Sequence, residues 1–198
     1  MARGRVTAAR LAEVAAELAD EAGLEGMTVS EVARRLGVKD ANLYAHLGNA
    51  HELRVRVAVL ALAELADRGA VALAGRAGKD ALVAFAGVYR DYGREHPGRY
   101  AAMQVELDPE TARASAGRRH SDMMRAILRG YALAEPDQTD AVRLLGSVFH
   151  GFVSLERTGG FRHHPRGADE SWSRVLDTLD VALRAWPASP PEAVRNPG

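Results

Sequence analysis

Two short runs of the sequence carry residue types that enzymes and metal sites use, and neither has the spacing that such chemistry requires. The first is the pair His163-His164, whose side chains project apart in a loop rich in Gly, Pro and Arg, with no acidic residue at metal-ligand spacing. The second is Ser147-Val148-Phe149-His150-Gly151, which does not form the pattern of a nucleophile elbow. The chain also has no cysteine. These features predict no catalytic residue, no bound metal and no cofactor.

A more informative pattern is a pair of short helical segments joined by a tight turn. The segment from Thr28 to Glu31 has the form of a capping box, in which the Thr28 hydroxyl caps the amide of Glu31 and the Glu31 carboxylate reaches back. Gly37 is suited to end this helix in a left-handed conformation, and Asp40 to cap a third helix, Ala41 to Leu47. Such a pair fits a helix-turn-helix, whose second helix enters a DNA major groove. The spacing alone leaves an ordinary helix hairpin as an equal alternative.

The residue types in this segment favour the first interpretation. Residues 27–47 read MTVSEVARRLGVKDANLYAHL, and they resemble the DNA-binding signature of the tetracycline-repressor (TetR) family. The family pattern is LT-x-x-x-x-A-x-x-LGV followed by LY-x-HF, and here Met27 replaces the Leu and Leu47 the Phe. The alanine-rich segment before Gly23 and residues 49–53 also fit. The resemblance implies a DNA-binding domain over residues 1–50.

The resemblance also implies which residues of this domain touch DNA. Three match the family's phosphate contacts: Thr28, Tyr44 and His46. Four others occupy the face that meets base edges: Lys39, Asp40, Ala41 and Asn42. An asparagine can bond adenine at two atoms, and an alanine methyl can meet the methyl of thymine. Two alternatives stay open, since Tyr44 can instead pack its ring in the core of the domain and His46 can be a surface residue without a role.

The charge of this domain is low for a protein that is expected to bind DNA. Residues 1–50 hold six basic and seven acidic groups, while the whole chain has 26 of each and a net charge of zero. Arg3 and Arg5 form an N-terminal arm that suits a minor groove, or else an untethered terminus. The family usually has Asn-Lys after the recognition helix, whereas here Asn49 is followed by Ala50. One phosphate-binding cation is therefore missing, and we expect a shallow salt dependence of DNA binding.

Helical spacing of apolar residues along the whole chain predicts the elements that carry these side chains. Apolar residues recur at intervals of three and four, Gly or Pro separates the segments, and no segment alternates as a strand does. The fold is therefore expected to be all-α, with a three-helix helix-turn-helix head on a larger helical body. The head helices end at Gly23, Gly37 and Gly48, and the body helices span residues 51–74, 80–96, 100–107, 109–131, 137–158 and 171–186. Residues 187–198 hold four of the eight prolines and predict a disordered tail.

Nothing in the sequence indicates a membrane or an export route. The longest apolar run, Val57 to Ala63, is far shorter than the ~18 residues of a membrane span. The basic N-terminus is followed by an acidic amphipathic segment rather than by the apolar stretch of a signal peptide. Together with the absence of cysteine, these features predict a cytoplasmic protein without a membrane partner.

Residues 51–186 are too long to serve the head alone. Residues 137–158 are apolar on two sides, which predicts that one side packs in the chain's own core and the other against a second copy. Residues 149–156 read FHGFVSLE and resemble the HGF-x-x-LE signature of one C-terminal subgroup of the TetR family. The REHPG-x-Y pattern at residues 94–100 and the run Gly159-Gly160-Phe161 also fit. Members of the family dimerise through the last two helices and enclose a small-molecule pocket.

The resemblance therefore implies an effector site in the body over residues 51–186. An apolar pocket with a few polar anchors can be lined here by Phe85, Tyr89, Tyr92, Met103, Met124, Phe149, His150 and Phe152. Each of these residues also suits an ordinary core, and a hydrogen-bonded core histidine is the alternative for His150. The prediction is a homodimeric repressor of transcription that binds a near-palindromic double-stranded DNA operator and responds to a small-molecule effector. The alternative is an all-α protein-binding adaptor that does not bind an operator.

Overall fold

The structure is a computed structural model that describes residues 7–44 and 47–187. Within these ranges the chain forms ten α-helices and a 3₁₀ turn at Arg129–Tyr131, without a strand, which confirms the all-α prediction. None of the described helices combines the length and the apolar composition that a membrane span needs. The helices are α1 (Ala8–Gly26), α2 (Val29–Leu36), α3 (Asp40–Tyr44), α4 (Ala50–Leu73), α5 (Gly78–Glu95), α6 (Pro97–Ala102), α7 (Pro109–Ala114), α8 (Gly117–Leu128), α9 (Asp137–Arg157) and α10 (Ala168–Arg184).

Helices α1, α2 and α3 form the head, in which local capping residues set the ends of the helices. The regular turns of α1 are interrupted at Gly23, where φ is 75°. Thr28 caps α2, because its hydroxyl accepts a hydrogen bond from the amide of Glu31 at 3.2 Å. Gly37 ends α2 with φ at 68°, a conformation that a residue with a Cβ rarely adopts. These positions agree with the prediction of a helix-turn-helix head.

Two details of the predicted caps are wrong. The Glu31 carboxylate does not reach back to the start of α2, because it pairs with the guanidinium of Arg34. Asp40 is the first residue of α3 rather than a cap before it, and its carboxylate accepts a hydrogen bond from the Ser30 hydroxyl. Leu47, the predicted last residue of this helix, is not helical and is buried in the core of the head. Residues 45 and 46 lie outside the described residues.

Helix α4 connects the head to the body. Asn49 caps its start, because the side-chain oxygen accepts a hydrogen bond from the amide of Glu52 at 2.9 Å. Its 24 residues give a length of about 36 Å at 1.5 Å per residue. The first part of the helix contributes Leu53 and Val57 to the head core, and a later part contributes Leu65 to the body core. A single helix thus belongs to both cores.

The body differs from the predicted elements in three places. The predicted helix over residues 109–131 is divided at Ser115, whose backbone is extended, so that α7 and α8 are separate. Helix α6 ends at Ala102 rather than near residue 107. Helix α10 ends at Arg184, and the half-buried Trp186 packs on the body core after it. Residues 188–198, which include all but the first residue of the predicted tail, lie outside the described residues.

Candidate DNA-binding surface and effector cavity

Helix α3 and the residue before it form a small exposed surface at one end of the head. Lys39, Asp40, Ala41 and Asn42 are all exposed there, whereas Leu43 is fully buried and holds the helix against the head core. The structure therefore brings together the four residues that were predicted to face base edges. Asp40 is engaged by the Ser30 hydroxyl of α2. The side chains of Lys39 and Asn42 have no hydrogen-bond or ion-pair partner among the described residues.

The predicted phosphate contacts are described only in part. The Tyr44 side chain is 55% exposed, so the alternative in which its ring packs in the head core is wrong. Thr28 is exposed at the start of α2, where its hydroxyl also serves as the cap. Arg3, Arg5 and His46 lie outside the described residues.

The two arginines of α2 are paired with carboxylates of the head itself. Arg34 donates from Nε to Glu31 at 2.9 Å, and Arg35 donates to both oxygens of Glu21 at 2.8 and 2.7 Å. These guanidinium hydrogen bonds lower the pKa of Glu31 and of Glu21 below the usual value of 4.5. Exposed pairs of this kind add little stability, but they hold the arginines in place. The positive charges of both arginines are therefore balanced by carboxylates of the head itself.

The body meets the head where α6 packs against α1. Oδ1 of Asp20 accepts hydrogen bonds from the amides of Gly98 and Arg99, both at 2.9 Å. Its Oδ2 lies 3.0 Å from Nδ1 of His96 and 3.0 Å from Nε of Arg99. The two backbones are so close that a Cβ on Gly98 would lie 1.9 Å from the carbonyl oxygen of Ala19. We call these contacts, with the neighbouring side chains of α4 and α5, the junction.

Further ion pairs surround Asp20 at the junction. Arg68 of α4 donates to Glu95 at 2.6 Å and lies 3.1 Å from Nε2 of His96. Glu64 lies 3.1 Å from the Arg99 guanidinium and accepts the hydroxyl of Tyr92 at 2.7 Å. Burial and the bond to Glu64 raise the pKa of Tyr92 above its usual value. Tyr92, a predicted effector residue, therefore belongs to the junction.

A cavity of about 180 Å³ lies within the body. Its lining residues come from α4, α5, α8 and α9 and from the residue that follows α6: Leu62, Leu65, Tyr89, Met103, Gly117, His120, Met124 and His150. Four predicted effector residues are among them: Tyr89, Met103, Met124 and His150. The other predicted residues lie elsewhere, since Phe85 and Phe149 are fully buried in the core and Phe152 packs against Phe161 and Trp172.

Hydrogen bonds determine which ring nitrogens of the cavity histidines carry protons. Nε2 of His120 lies 2.9 Å from the carbonyl oxygen of Leu62, which can only accept, so Nε2 is the donor. Nδ1 of His120 then accepts the hydroxyl of Tyr89 at 2.9 Å. Nδ1 of His150 lies 2.8 Å from the Tyr100 hydroxyl and 3.3 Å from the Gln104 amide nitrogen, and it accepts from both. Burial lowers the pKa of both histidines below 6.5, which favours neutral rings.

Four of the lining residues were not predicted from the sequence: Leu62, Leu65, Gly117 and His120. The polar one among them is His120. It lies one helical turn before Met124, so its spacing from a predicted residue was the available indication. His163 and His164 are exposed in the loop between α9 and α10, away from this cavity. In the part of the chain that the structure describes, no three His, Asp or Glu side chains are grouped as a metal site requires.

Helix α6 lies between the cavity and the junction. At its start, the amides of Gly98 and Arg99 are bonded to Asp20 of the head. The hydroxyl of the next residue, Tyr100, is bonded to His150 in the cavity wall. Met103, which directly follows the last residue of the helix, also lines the cavity. A six-residue helix therefore contacts both places at once.

The outer side of α9 and α10 is apolar. Leu155 is 53% exposed and Val181 is 64% exposed. Between the two helices runs a groove of about 430 Å³, lined by Val148, Arg166, Ser171, Arg174, Val175, Thr178 and Leu179. An adjacent side of α9, with Leu145 and Phe149, is buried in the body core. The helix is thus apolar on a buried and on an exposed side.

The chain is similar to bacterial regulators over most of its length. A family model described as bacterial regulatory proteins, tetR family, matches residues 11–57, and a tetracyclin repressor-like C-terminal domain matches residues 82–179. The uncharacterized HTH-type transcriptional regulator Rv0681 of Mycobacterium tuberculosis is 34% identical over 153 residues, which cover 75% of this chain and 69% of that protein. The uncharacterized HTH-type transcriptional regulator YobS of Bacillus subtilis is 24% identical over 181 residues, 91% of each chain.

Solved structures show the same fold. The TetR family transcriptional regulator PfmR from Thermus thermophilus superposes with a TM-score of 0.64 at 29% identity, covering 86% of this chain and 96% of that one. TetR-Q116A from Acinetobacter baumannii AYE, crystallised in complex with minocycline, superposes with a TM-score of 0.73 at 20% identity, covering 93% of this chain and 100% of that one.

Proposed function

The chain belongs to the TetR family of DNA-binding transcriptional regulators, and we propose that it is a homodimeric repressor controlled by a small molecule in the body cavity. The observation that carries the proposal is the position of α6, which contacts the cavity at His150 and the head at Asp20. Control of one site by another requires two conformational states whose equilibrium both sites bias, and an element that both sites contact can carry the change between them. We assign no catalytic step to the protein, and we expect it in the cytoplasm, where its DNA partner is.

The DNA contacts follow from the exposed surface of α3. We propose that Lys39, Asp40, Ala41 and Asn42 face base edges and that Thr28 and Tyr44 contact phosphates, together with Arg3, Arg5 and His46 outside the described residues. The exposure of Tyr44 and the unengaged side chain of Asn42 support these roles. In a twofold dimer the two α3 helices would enter major grooves about 34–36 Å apart, or a multiple of this distance, on a near-palindromic operator.

The dimer interface that we propose is the outer side of α9 and α10. Exposed Leu155 and Val181 and the groove lined by Val148 and Val175 support it, because an apolar face of this kind is normally covered. A twofold axis would bring the same helices of two chains together. Two heads would then be held at a fixed separation.

Control by ligand would act through α6 and α4 together. A molecule in the cavity contacts the side chains around Tyr100 and Met103, so it can shift α6, and α6 is bonded to the head through Asp20. Tilting of α4 would move the two recognition helices relative to each other. For a tenfold loss of operator affinity, the ligand must prefer the non-binding state by about 1.4 kcal/mol, and the operator must weaken ligand binding equally.

The division into parts is proposed on the same basis: a DNA-binding head over residues 1–50, an effector and dimerisation body over 51–186, and a tail over 187–198. The head core continues through Val57 and Ala58 of α4, so the two units share that helix. We also assign the body to the HGF-x-x-LE subgroup. Two residues of that motif have clear partners here, because His150 bonds Tyr100 and Glu156 pairs with Arg90 at 2.6 Å.

Operator binding is tested by gel shift and footprinting on the promoter of the neighbouring operon. The two lysines of the chain provide a matched pair of variants, since Lys39 lies on the proposed DNA surface and Lys79 pairs with Asp177 in the body. Lys39→Ala should weaken binding severalfold, and Lys79→Ala should leave it unchanged. Asn42→Ala should cost about 1–3 kcal/mol on the operator and little on random DNA.

Three results would contradict the proposal. The adaptor alternative predicts no gel shift. A footprint without dyad symmetry would exclude a twofold pair of heads, and a monomer by light scattering at micromolar concentration would exclude the dimer.

A further inference from the structure

The cavity is lined without a single ionised side chain. Its eight lining residues include no Asp, Glu, Lys or Arg. The charged groups next to its polar residues are engaged elsewhere, because Arg119 pairs with Asp67 and Arg157 donates to the carbonyl of Pro97. A ligand charge that enters such a site loses its hydration without gaining a counter-charge, which is costly. The lining therefore favours an uncharged molecule.

The polar groups of the cavity keep one donor and one acceptor after their internal hydrogen bonds are made. The Tyr89 hydroxyl donates to His120, so its oxygen can still accept. Nδ1 of His150 accepts from Tyr100 and Gln104, so Nε2 carries the proton. This Nε2–H has no acceptor among the described residues. A matching ligand must accept from His150 and donate to Tyr89.

The size of the cavity suits a ligand of about one ring. Its volume of about 180 Å³ is slightly larger than an engineered cavity of about 150 Å³ that holds benzene. Leu62, Leu65, Met103 and Met124 provide apolar contacts for a flat ring, and thioethers adapt well to aromatic surfaces. The polar pair then orients the ring.

We propose that the cavity takes a small uncharged ligand of about one six-membered ring, with a polar substituent that accepts from Nε2 of His150 and donates to the Tyr89 hydroxyl. A primary carboxamide has this combination of acceptor and donor on neighbouring atoms. The inference rests on the proposed function only in calling the ligand an effector, because binding itself can be measured without DNA.

Three probes of nearly identical shape test the charge of the ligand: benzamide, benzoate and benzamidinium. Titrations of the full-length protein by NMR at about pH 8 should give an affinity for benzamide at least tenfold higher than for either ion. Equal or tighter binding of benzoate or benzamidinium would overturn the proposal, and so would failure of all three to bind.

Variants test the two polar contacts. His150→Phe keeps a ring but removes the donor, and Tyr89→Phe removes the hydroxyl, so each should weaken benzamide at least fivefold. His164→Phe in the exposed loop is the matched control and should have no effect. Circular dichroism verifies that each variant is folded, and the two cavity variants are independent tests. Unchanged benzamide affinity in a folded His150→Phe or Tyr89→Phe protein would overturn the proposed orientation.

The pH dependence separates an uncharged ligand from an acid that is taken up with a proton. His120 faces the Tyr89 hydroxyl and the Leu62 carbonyl, with Arg119 beside it on α8, and His150 faces Tyr100, Gln104 and His120. Lowering the pH from about 8 to about 6 should leave benzamide affinity unchanged or weaker. Benzoate bound together with a proton would instead tighten up to tenfold per pH unit, and a benzoate affinity at pH 6 that equals that of benzamide would overturn the choice of a carboxamide over an acid.

A variant in which a larger side chain fills the cavity tests the ligand class and the proposed function separately. Met103→Trp adds bulk to the cavity wall next to α6. If this variant changes operator affinity while no probe binds, regulation through the cavity stands and the ligand class is wrong. If benzamide binds and Met103→Trp leaves operator affinity unchanged, the ligand class stands and control through the cavity is wrong.

Discussion

The junction and the cavity both contain buried or half-buried polar side chains, yet these side chains find their partners in different ways. At the junction the carboxylates of Asp20, Glu64 and Glu95 each have an arginine partner. In the cavity the polar groups are neutral, and two hydrogen-bonding positions, on Tyr89 and His150, remain free of partners among the described residues. A cluster of ion pairs favours one geometry, whereas polar groups with unused hydrogen-bonding positions have capacity left for a ligand. We therefore expect the junction to connect the head to the body and the cavity to bind the ligand.

The largest expected effect comes from separating α6 from α1. Gly98→Ala should lower the free energy of unfolding by about 2–3 kcal/mol, because the new Cβ would lie 1.9 Å from the backbone oxygen of Ala19, which has no rotamer to change. Urea denaturation measures the loss. Gly87→Ala in α5 is the matched control, since its Cβ would meet nothing within 4 Å, and it should gain about 0.5–1 kcal/mol. Equal losses in both variants would show that the close approach has no energetic consequence.

A smaller effect is expected from uncoupling the two regions while leaving both present. In a double-mutant cycle, Met103→Trp should change operator affinity by about tenfold in the wild type, or 1.4 kcal/mol, and by much less in an Asp20→Ala background. The reason is that Asp20 supplies the bonds from α1 to the start of α6. Glu13→Ala, which removes an exposed pair with Arg10 on the same helix, is the control background. If Met103→Trp changed operator affinity as much in the Asp20→Ala background as in the wild type, the junction would have no role in regulation.

The pH dependence of stability should separate the two regions by their pKa shifts. Burial lowers the pKa of His120 and His150 in the folded protein, so the unfolded chain binds protons more readily below pH 6.5. Stability from this source is complete above 6.5 and is lost as the pH falls through it. At the junction, Arg68 lowers the pKa of Glu95, so that contribution is lost only below about pH 4.5. The interval between these values therefore reports mainly on the cavity.

Urea titrations across that interval test the assignment. His150→Phe should flatten the decline of stability between about pH 6.5 and 5, because one buried base is removed. His164→Phe, in the exposed loop, should keep the wild-type slope. A decline that is equally steep in both variants would mean that other groups cause it.

The parts of this molecule that the sequence predicted are those set by local interactions. Thr28 caps α2 and Gly37 ends it through contacts within four residues, so their roles can be inferred from residue type and spacing. The break between α7 and α8 at Ser115 is marked in the sequence only by Gly117 two residues later, and a lone glycine inside a helical pattern does not by itself end a helix. Such a break depends on packing in the folded body, which the sequence does not display.

The parts that were missed depend on contacts between distant segments. Asp20 bonds Gly98 across 78 residues, and on α1 alone it looks like one more acid on a solvated face. Phe85 and Tyr89 are both aromatic residues at helical spacing on α5, yet only Tyr89 lines the cavity. Burial does not distinguish them, because both are nearly inaccessible to solvent. What distinguishes them is the position of a void, and this is a property of the assembled helices.

The smallest expected effect concerns the head, where arginines are paired with carboxylates as at the junction. Ala50 is exposed at the start of α4, at the place where the family has a lysine. Ala50→Lys would cost about 0.3–1 kcal/mol of stability, since a cation at a helix N-terminus opposes the helix dipole. If that lysine reaches a phosphate, the slope of log K against log salt should steepen by about 0.9, equally on operator and random DNA. Ala70→Lys, exposed on the same helix about 30 Å further along, should leave the slope unchanged. The same slope in all three proteins would mean that residue 50 faces away from the DNA backbone. An unpaired lysine at this position would then add no phosphate contact.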